Sequence, residues 1–363
     1  MSAVKEPLFH VVKRDNAGFV RGLLVRLAAI VLSLIVCAVI IVLLTGMNPL
    51  SVYAALWDGA VGTSRRMWIT LRDAAILLCI GFAVMPAFRM RFWNTGAEGQ
   101  VLVGACATAA VMIYGKTLPS WALYTLCPLA GIAAGLVWGV IPAFFKARWN
   151  TNETLFTLML NYIATQLVAF CIIFWETPKG SNSVGLINAK GKIGWLPNIG
   201  KNSYLLPILI VLGLALILFV YMRYTKQGYE ISVVGESENT AHYAAINVKR
   251  VIIRTMAICG GIAGIAGYLL ASGVGHTIST GLAGGRGFTA IIVAWLAQLN
   301  PIMILVVSTL FSVLEKGSGV VQSSFGLSVD CADVLQGIIL FFILGCEFFV
   351  RYAFVFNKKG GDK

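Results

Sequence analysis

Ten long apolar segments follow one another along the chain, separated by short polar connections. A helix needs about 20 mostly apolar residues to cross a bilayer, so the pattern predicts ten membrane helices. Their predicted extents are 22–45, 68–88, 95–114, 121–145, 154–175, 204–222, 251–272, 287–299, 301–316 and 332–354. The eighth and ninth are short and are divided at 299–301, which is typical of half-helices or a re-entrant pair. The sequence therefore predicts an all-α polytopic membrane protein.

Composition agrees with this prediction. Hydrophobic residues make up 58% of the chain and charged residues 12%, whereas soluble domains carry about a quarter charged residues. The net charge is +13, and Lys and Arg concentrate in the segments that lie inside if both termini are cytoplasmic. We therefore predict a cytoplasmic segment 1–21, a membrane domain 22–354 and a cytoplasmic tail 355–363. Within the domain, we expect 176–203 to face outward and 223–250 to face the cytoplasm.

Catalytic and metal-binding patterns are not found in the sequence. The eight cysteines form no C-x-x-C pair and lie mostly in apolar runs, which indicates small buried side chains rather than disulfides or zinc ligands. The histidines lie far apart, and no Walker motif or nucleophile elbow occurs. No basic stretch is interleaved with aromatic residues outside the apolar segments, so a nucleic-acid partner is not expected. The chain is expected to be neither an enzyme nor a metal protein.

The stretch "NTGAEGQ" places one carboxylate, Glu98, at the start of the third apolar segment. Thr95 and Glu98 have the spacing of a capping box, and Arg89 and Arg91 lie just upstream. One interpretation is a capped, salt-bridged helix end. The other is a broken helix whose polar start lines a translocation path.

Similar polar starts occur twice more. In "NTNETLFTLMLNYIATQ", Asn150 and Glu153 again have capping-box spacing, and Asn161 and Gln166 are expected to face another helix or a cavity. In "GGRGF", three glycines surround Arg286 at the start of the eighth segment. Its position corresponds to that of "NTGAEGQ", which suggests an inverted repeat of five plus five helices with these two starts on opposite sides of the membrane.

Two other groups of residues, one of glycines and one of polar residues, lie within the apolar segments or at their starts. Glycines spaced along one helix side predict close helix packing; they are Gly131, Gly135, Gly139, Gly260, Gly264 and Gly267. Acidic and amide residues start the last segment, where they could cap the helix or contact solute; they are Asp330, Asp333 and Gln336.

Four ordered stretches resemble the permease family shared by bacterial ABC importers for branched-chain amino acids, simple sugars and nucleosides. They are "NTGAEGQ", "NETLFTLMLNYIA", "VVGESENTAHYAAINVKRV" and "ADVLQGIILFFIL". The second and third are most similar to the nucleoside and simple-sugar branch. Ala245 stands where that branch usually has Gly, and "RGFTAIIVAWLAQLNP" lacks its usual Asp.

The resemblance implies a permease subunit in the bacterial inner membrane, carrying a nucleoside or, alternatively, a simple sugar. It also implies an ATPase partner that binds ATP-Mg, a second permease subunit in a homo- or heterodimer, and an extracytoplasmic binding protein; the chain itself would hold no cofactor. Expected translocation-path residues are Asn94, Glu98, Gln100, Asn161 and Phe288. Expected ATPase-coupling residues, on a short surface helix, are Gly235, Glu236, Asn239, Ala241, Tyr243, Ala244 and Asn247.

An ion-coupled secondary transporter that acts without an ATPase is the alternative from another class. Ten helices with broken segments would suit it as well. Such a carrier has no need of a docking helix within 223–250, and it more often has an acid deep in a span. Asp73 is the nearest candidate, and the adjacent Arg72 is expected to neutralise it near the outer surface.

Overall fold

The computed structural model describes residues 9–13, 19–200, 202–325 and 352–356, and helical positions 334, 337–339, 341–342, 345–346 and 348–350. The chain forms two compact units, one of Met1–Gly62 with Leu314–Lys363 and one of Thr63–Val313. The helices are α1 (Phe19–Thr45), α2 (Pro49–Val61), α3 (Ser64–Arg89), α4 (Ala97–Tyr114), α5 (Ser120–Trp149), α6 (Glu153–Trp175), α7 (Leu205–Tyr224), α8 (Lys226–Glu236), α9 (Glu238–Tyr243), α10 (Val248–Tyr268), α11 (Arg286–Leu296) and α12 (Pro301–Phe325). A π-helical turn, Leu269–Gly275, extends α10.

The first unit joins the two ends of the chain. Strand β1 (Phe9–Lys13) pairs antiparallel with β2 (Tyr352–Phe356), so the N- and C-terminal segments lie side by side. Helix α2 was not predicted. It starts where the Asn48 side chain accepts the Leu50 N–H, with Pro49 in the first turn, and Gly59 and Gly317 allow it to lie close to α12.

The prediction of an all-α polytopic protein is confirmed. Seven helices in the described residues are long and apolar enough to cross a membrane, and α1 contains a shorter apolar run, Val31–Leu43. The eighth predicted segment is a half-helix, because the 11 residues of α11 rise only about 16 Å. The ninth prediction was too short, since α12 has 25 residues. The tenth ends too late, because Tyr352–Phe356 form a β-strand.

Helix α10 is the centre of the second unit and packs against α3, α4 and α5. The predicted glycine positions form the contact. A Cβ on Gly264 would collide with the Gly131 carbonyl oxygen, and one on Gly267 would collide with the backbone of α4. The helices therefore approach backbone to backbone, which only glycine permits at this spacing.

The second unit has two distinguishable ends. At one, α8 and α9 connect α7 to α10; we call it the α8–α9 end. At the other, the loop between α6 and α7 folds over the π-helical turn, where the Ser272 hydroxyl donates to the Gly194 carbonyl at 2.7 Å. Trp195 stacks on His276 at this second end, with ring centroids 3.7 Å apart; we call it the Trp195 end.

Candidate functional site

The chain reverses direction between α3 and α4 and starts a new helix in the protein interior. Arg91 has a φ of 61° in this reversal, and α4 begins at Ala97. The Asn94 Oδ1 atom accepts the Gly96 N–H at 3.1 Å and the Gln100 amide N–H at 3.3 Å. Asn94 is 0% exposed and Gln100 1%. The two predicted path residues thus stabilise each other and the broken helix start.

Helix α6 supplies the other half of this polar cluster. The Asn161 side chain accepts the Gly99 N–H at 2.8 Å and donates to the Thr95 carbonyl at 2.9 Å. Asn161 lies about 12 Å from the start of α6, measured as two turns, so the break lies inside the span. The expectation that Asn161 faces another helix is confirmed, whereas Gln166 is exposed.

Both predicted capping boxes are wrong. The Thr95 hydroxyl bonds to Thr154 and Thr157 of α6, at 3.1 and 3.0 Å. Tertiary contact therefore replaces the local bond. At the start of α6, the cap is Asn152 rather than Asn150, and Glu153 forms an ion pair with Lys146 at 2.8 Å.

The Glu98 carboxylate joins the start of the membrane-length helix α4 to the start of the half-helix α11. Its Oε1 atom accepts the Gly285 N–H at 2.8 Å, and its Oε2 atom accepts the Gly287 N–H at 2.6 Å. Glu98 lies in the first turn of α4, and these N–H groups belong to the start of α11. The carboxylate thus lies where two positive helix ends converge, so it stabilises both of them.

Two predictions about this region are wrong. The two polar starts do not lie on opposite sides of the membrane, because they touch. The expected ion pairing of Glu98 with Arg89 or Arg91 does not occur among the described residues. The reason is that the backbone N–H groups at the start of α11 already occupy both carboxylate oxygens of Glu98.

Asp73 is a buried acid in the same unit, whereas Glu98 is half-buried, and Asp73 is neutralised as expected. It is 3% exposed and contacts Arg72 at 2.9 Å and Arg286 at 3.9 Å. An acid held by two arginines is poorly suited to exchange ions during a transport cycle. This geometry speaks against the secondary-transporter alternative.

One face of α11 is aromatic and exposed. Phe288 is 43% exposed and Trp295, seven residues later, is 44% exposed. Trp93 stacks on Trp295 with ring centroids 5.3 Å apart. Phe288 is thus the most accessible of the five predicted path residues. The two tryptophans were not predicted, although the spacing of Phe288 and Trp295 places them on one helix face.

The surface helix predicted over Gly235 to Asn247 is observed only in part, as the six residues of α9; Gly235 and Glu236 end α8, which was not predicted, and Asn247 caps α10. The predicted coupling residues separate into two groups. Glu236, Asn239, Tyr243 and Ala244 are exposed, and Tyr243 reaches 93%. Gly235 and Ala241 are buried, and the Asn247 side chain caps α10 by accepting the Arg250 N–H.

An ion pair ties α8 to the helix bundle. The guanidinium of Arg254 in α10 contacts the carboxylate of Glu230 in α8 at 2.9 Å. Gly235 also lies directly against the Arg89 carbonyl at the end of α3. Displacement of α8 would therefore be transmitted to α3 and α10.

A half-helix whose start is held by a buried helix start, in a bundle of membrane-length helices, is typical of membrane transport subunits. Residues 66–344 match the family described as branched-chain amino acid transport system / permease component, and the chain belongs to this family.

Three relatives support the assignment. The chain is 31% identical to the guanosine ABC transporter permease protein NupP of Bacillus subtilis, covering 93% of this chain and 97% of the relative. It is 30% identical to the nucleoside ABC transporter permease protein NupB of Lactococcus lactis, covering 89% and 91%. It is 26% identical to a glucose ABC transporter permease of Haloferax volcanii, covering 87% and 86%.

The chain is therefore the permease of an ABC importer and a multi-pass inner-membrane protein. It is a transport subunit and not an enzyme, and it works with an ATPase and other ABC components. The predicted family, class and membrane location are confirmed.

Proposed function

We propose that this permease carries a nucleoside across the membrane. The similarity to the guanosine and nucleoside permeases, 31% and 30% identical over most of the chain, supports this solute most directly. The exposed aromatic face of Phe288, Trp93 and Trp295 supports it as well, because planar side chains stack on nucleobases. A simple sugar is the second candidate, favoured by the 26% identical glucose permease.

The polar break plays two roles in this proposal. Asn94, Gln100 and Asn161 hold the start of α4 in place, because their polar groups are bonded within the fold. Glu98 keeps the start of α11 next to α4, and Phe288 follows Gly287 on the surface. The solute would then meet Phe288 first. Glu98 would position Phe288 and would not itself touch the solute.

Energy would enter through the exposed side of α9. The ATPase partner, which would bind ATP-Mg, contacts Glu236, Asn239, Tyr243 and Ala244. The ion pair between Arg254 and Glu230 then carries the movement to α10. A nucleotide shifts the transporter between states only if it favours one of them.

In this proposal the α8–α9 end faces the cytoplasm, and both chain termini are cytoplasmic. The pairing of β1 with β2 supports a common side for the termini.

The complete importer would contain two permease subunits, as a homo- or heterodimer, two ATPases and an extracytoplasmic binding protein at the Trp195 end. Membrane lipid surrounds the spans, and nucleic acid has no role. The buried positions Gly235 and Ala241 would shape α8 and α9, rather than touch the ATPase.

Uptake assays test which solute is carried. They use cells of the source organism from which the gene for this chain has been deleted. Complementation with the wild-type chain should restore uptake of labelled guanosine, with unlabelled nucleosides competing and glucose not competing. The Phe288→Ala variant should raise the KM, and the matched Phe288→Tyr variant, which keeps the ring, should not. Restored glucose uptake without guanosine uptake would identify the sugar permease instead.

Co-purification tests the coupling surface separately. A tagged chain should bring down an ATPase, and Tyr243→Asp should lose it while Tyr243→Phe retains it. Isolation of the chain alone, with uptake driven by an ion gradient and indifferent to ATP, would contradict the importer mechanism.

A further inference from the structure

A cavity of about 820 Å³ at the α8–α9 end has no part in the proposed transport path. It lies between the end of α3, the end of α7, helix α8 and the connection from α11 to α12. Gln298 and Leu299 shape this connection, with φ angles of 53° and 56°.

The charged groups that line the cavity are basic. Arg89 and Arg223 both reach it, and its lining contains no carboxylate. Both arginines are exposed, and neither forms an ion pair with the residues that the structure describes. Tyr229 adds a phenolic hydroxyl to the wall, whereas the Ser232 hydroxyl donates to the Gly228 carbonyl at 3.1 Å. Two guanidinium groups beside one hydroxyl donor match the oxygens of a phosphate group.

The remaining wall is apolar. Phe219 and Met222 of α7 and Ile302 of α12 line the cavity. Beyond it, both helices expose large apolar side chains within the next turns, including Ile217 at 67% and Val306 at 52%. The cavity therefore combines a cationic end with an apolar track along membrane-spanning helices. A small water-soluble phosphate compound would leave this track unused.

We propose that this cavity binds the phosphate headgroup of an anionic phospholipid, with Arg89 and Arg223 on the phosphate and the acyl chains along α7 and the first turns of α12. Basic pockets between spans at the membrane boundary favour such headgroups. Because the cavity wall includes α8, a bound lipid holds α8 against α3 and α7. The proposal is independent of which solute is carried.

The test uses the transporter purified from its native membrane through a tag on this chain, then stripped of lipid by detergent. The melting temperature is measured in detergent micelles that contain phosphatidylglycerol, in detergent micelles that contain phosphatidylcholine, and in detergent with inorganic phosphate alone. Arg89→Gln with Arg223→Gln is the site variant. Arg148→Gln with Arg250→Gln is the matched control, because it removes two exposed arginines from the same end without touching the cavity.

Phosphatidylglycerol should raise the melting temperature of the wild type and the control. Phosphatidylcholine should not, because its phosphate is accompanied by a choline cation that the two arginines repel. The site variant should need on the order of tenfold or more phosphatidylglycerol per lost arginine for the same shift. The single Arg223→Gln variant should fall between them, which provides a readout if the double variant does not fold. Equal shifts in the site and control variants would overturn the proposal. A shift produced by inorganic phosphate alone would overturn it in favour of a soluble anion.

Discussion

The Glu98 carboxylate accepts the Gly287 backbone N–H at 2.6 Å, across 189 positions of sequence. Together with the bond to Gly285, it fixes the start of α11 to the first turn of α4. The structural consequence is that one side chain stabilises the starts of both α4 and α11. The functional consequence is that Phe288, which follows Gly287, is held at a defined place on the surface.

Replacement of Glu98 by Gln should destabilise the transporter substantially. The amide keeps one acceptor and turns an N–H toward the other backbone donor. The expected loss is about 1.5–3 kcal/mol, the range for hydrogen bonds to charged groups, read as a lower melting temperature in detergent. Glu176 is a matched control because it also accepts two backbone N–H groups, from Gly180 and Asn182, but at an exposed loop. An equal effect of Glu176→Gln would contradict the importance of the interior site.

Replacement of Gly287 by Ala should separate α11 from α4. An added Cβ would lie 2.6 Å from the Glu98 Cα and against its backbone nitrogen. We expect uptake to fall and protease sensitivity around 276–300 to rise. Gly281→Ala provides the control, because a Cβ there meets nothing within 4 Å. If both variants transport equally well, the close approach of Gly287 to Glu98 is not needed for transport.

Replacement of Gly264 by Ala should disrupt the contact between α5 and α10. The new methyl group would collide with the backbone carbonyl of Gly131, which has no free rotamer with which to move away. Overpacking of this kind costs about 1–3 kcal/mol. Gly261 lies on the same helix, and its Cβ would meet Ile132 at an ordinary 3.6 Å. Thermal unfolding should therefore distinguish Gly264→Ala from a nearly neutral Gly261→Ala.

Replacement of Ala245 by Gly should stabilise the segment after α9. Ala245 has a φ of 56°, a conformation that costs a residue with a Cβ about 1–2 kcal/mol. Part of that gain is offset by the greater freedom of glycine in the unfolded chain. The expected result is slower hydrogen exchange at Ile246 with unchanged uptake. Faster exchange would show that the alanine is not strained.

Acid should weaken the Trp195 end through His276. Burial lowers the pKa of His276, and the positive charges of Arg72 and Lys192 lower it further. The folded state therefore favours the neutral ring, so its stabilisation is complete above the unfolded pKa of about 6.5. It is lost as the pH falls from that value through the lower pKa of the folded state, because the unfolded chain takes up the proton first. The melting temperature of the wild type should fall more than that of His276→Asn between about pH 8 and about pH 5.5.

Much of the fold could be predicted from local sequence. Apolar run length located most of the spans, because the bilayer thickness fixes the length of a helix that crosses it. The glycine spacing identified a close-packing face on α5 and another on α10, since residues four apart share one helix face, but only the structure shows that these two faces meet. The exposed α9 was likewise predicted, since a polar start followed by helix-forming residues is a local signal.

The tertiary structure decided the connections that no local signal encodes. The sequence determined that Glu98 stands at a polar helix start, but the carboxylate is satisfied by Gly285 and Gly287 of a distant half-helix. Thr95 could bond locally or to α6, and the packed interior selected α6. Short-range propensities determine where a helix begins and which face is apolar. The partners of its buried polar groups depend on which chain segments meet, because a buried donor or acceptor takes whichever partner the fold brings within reach.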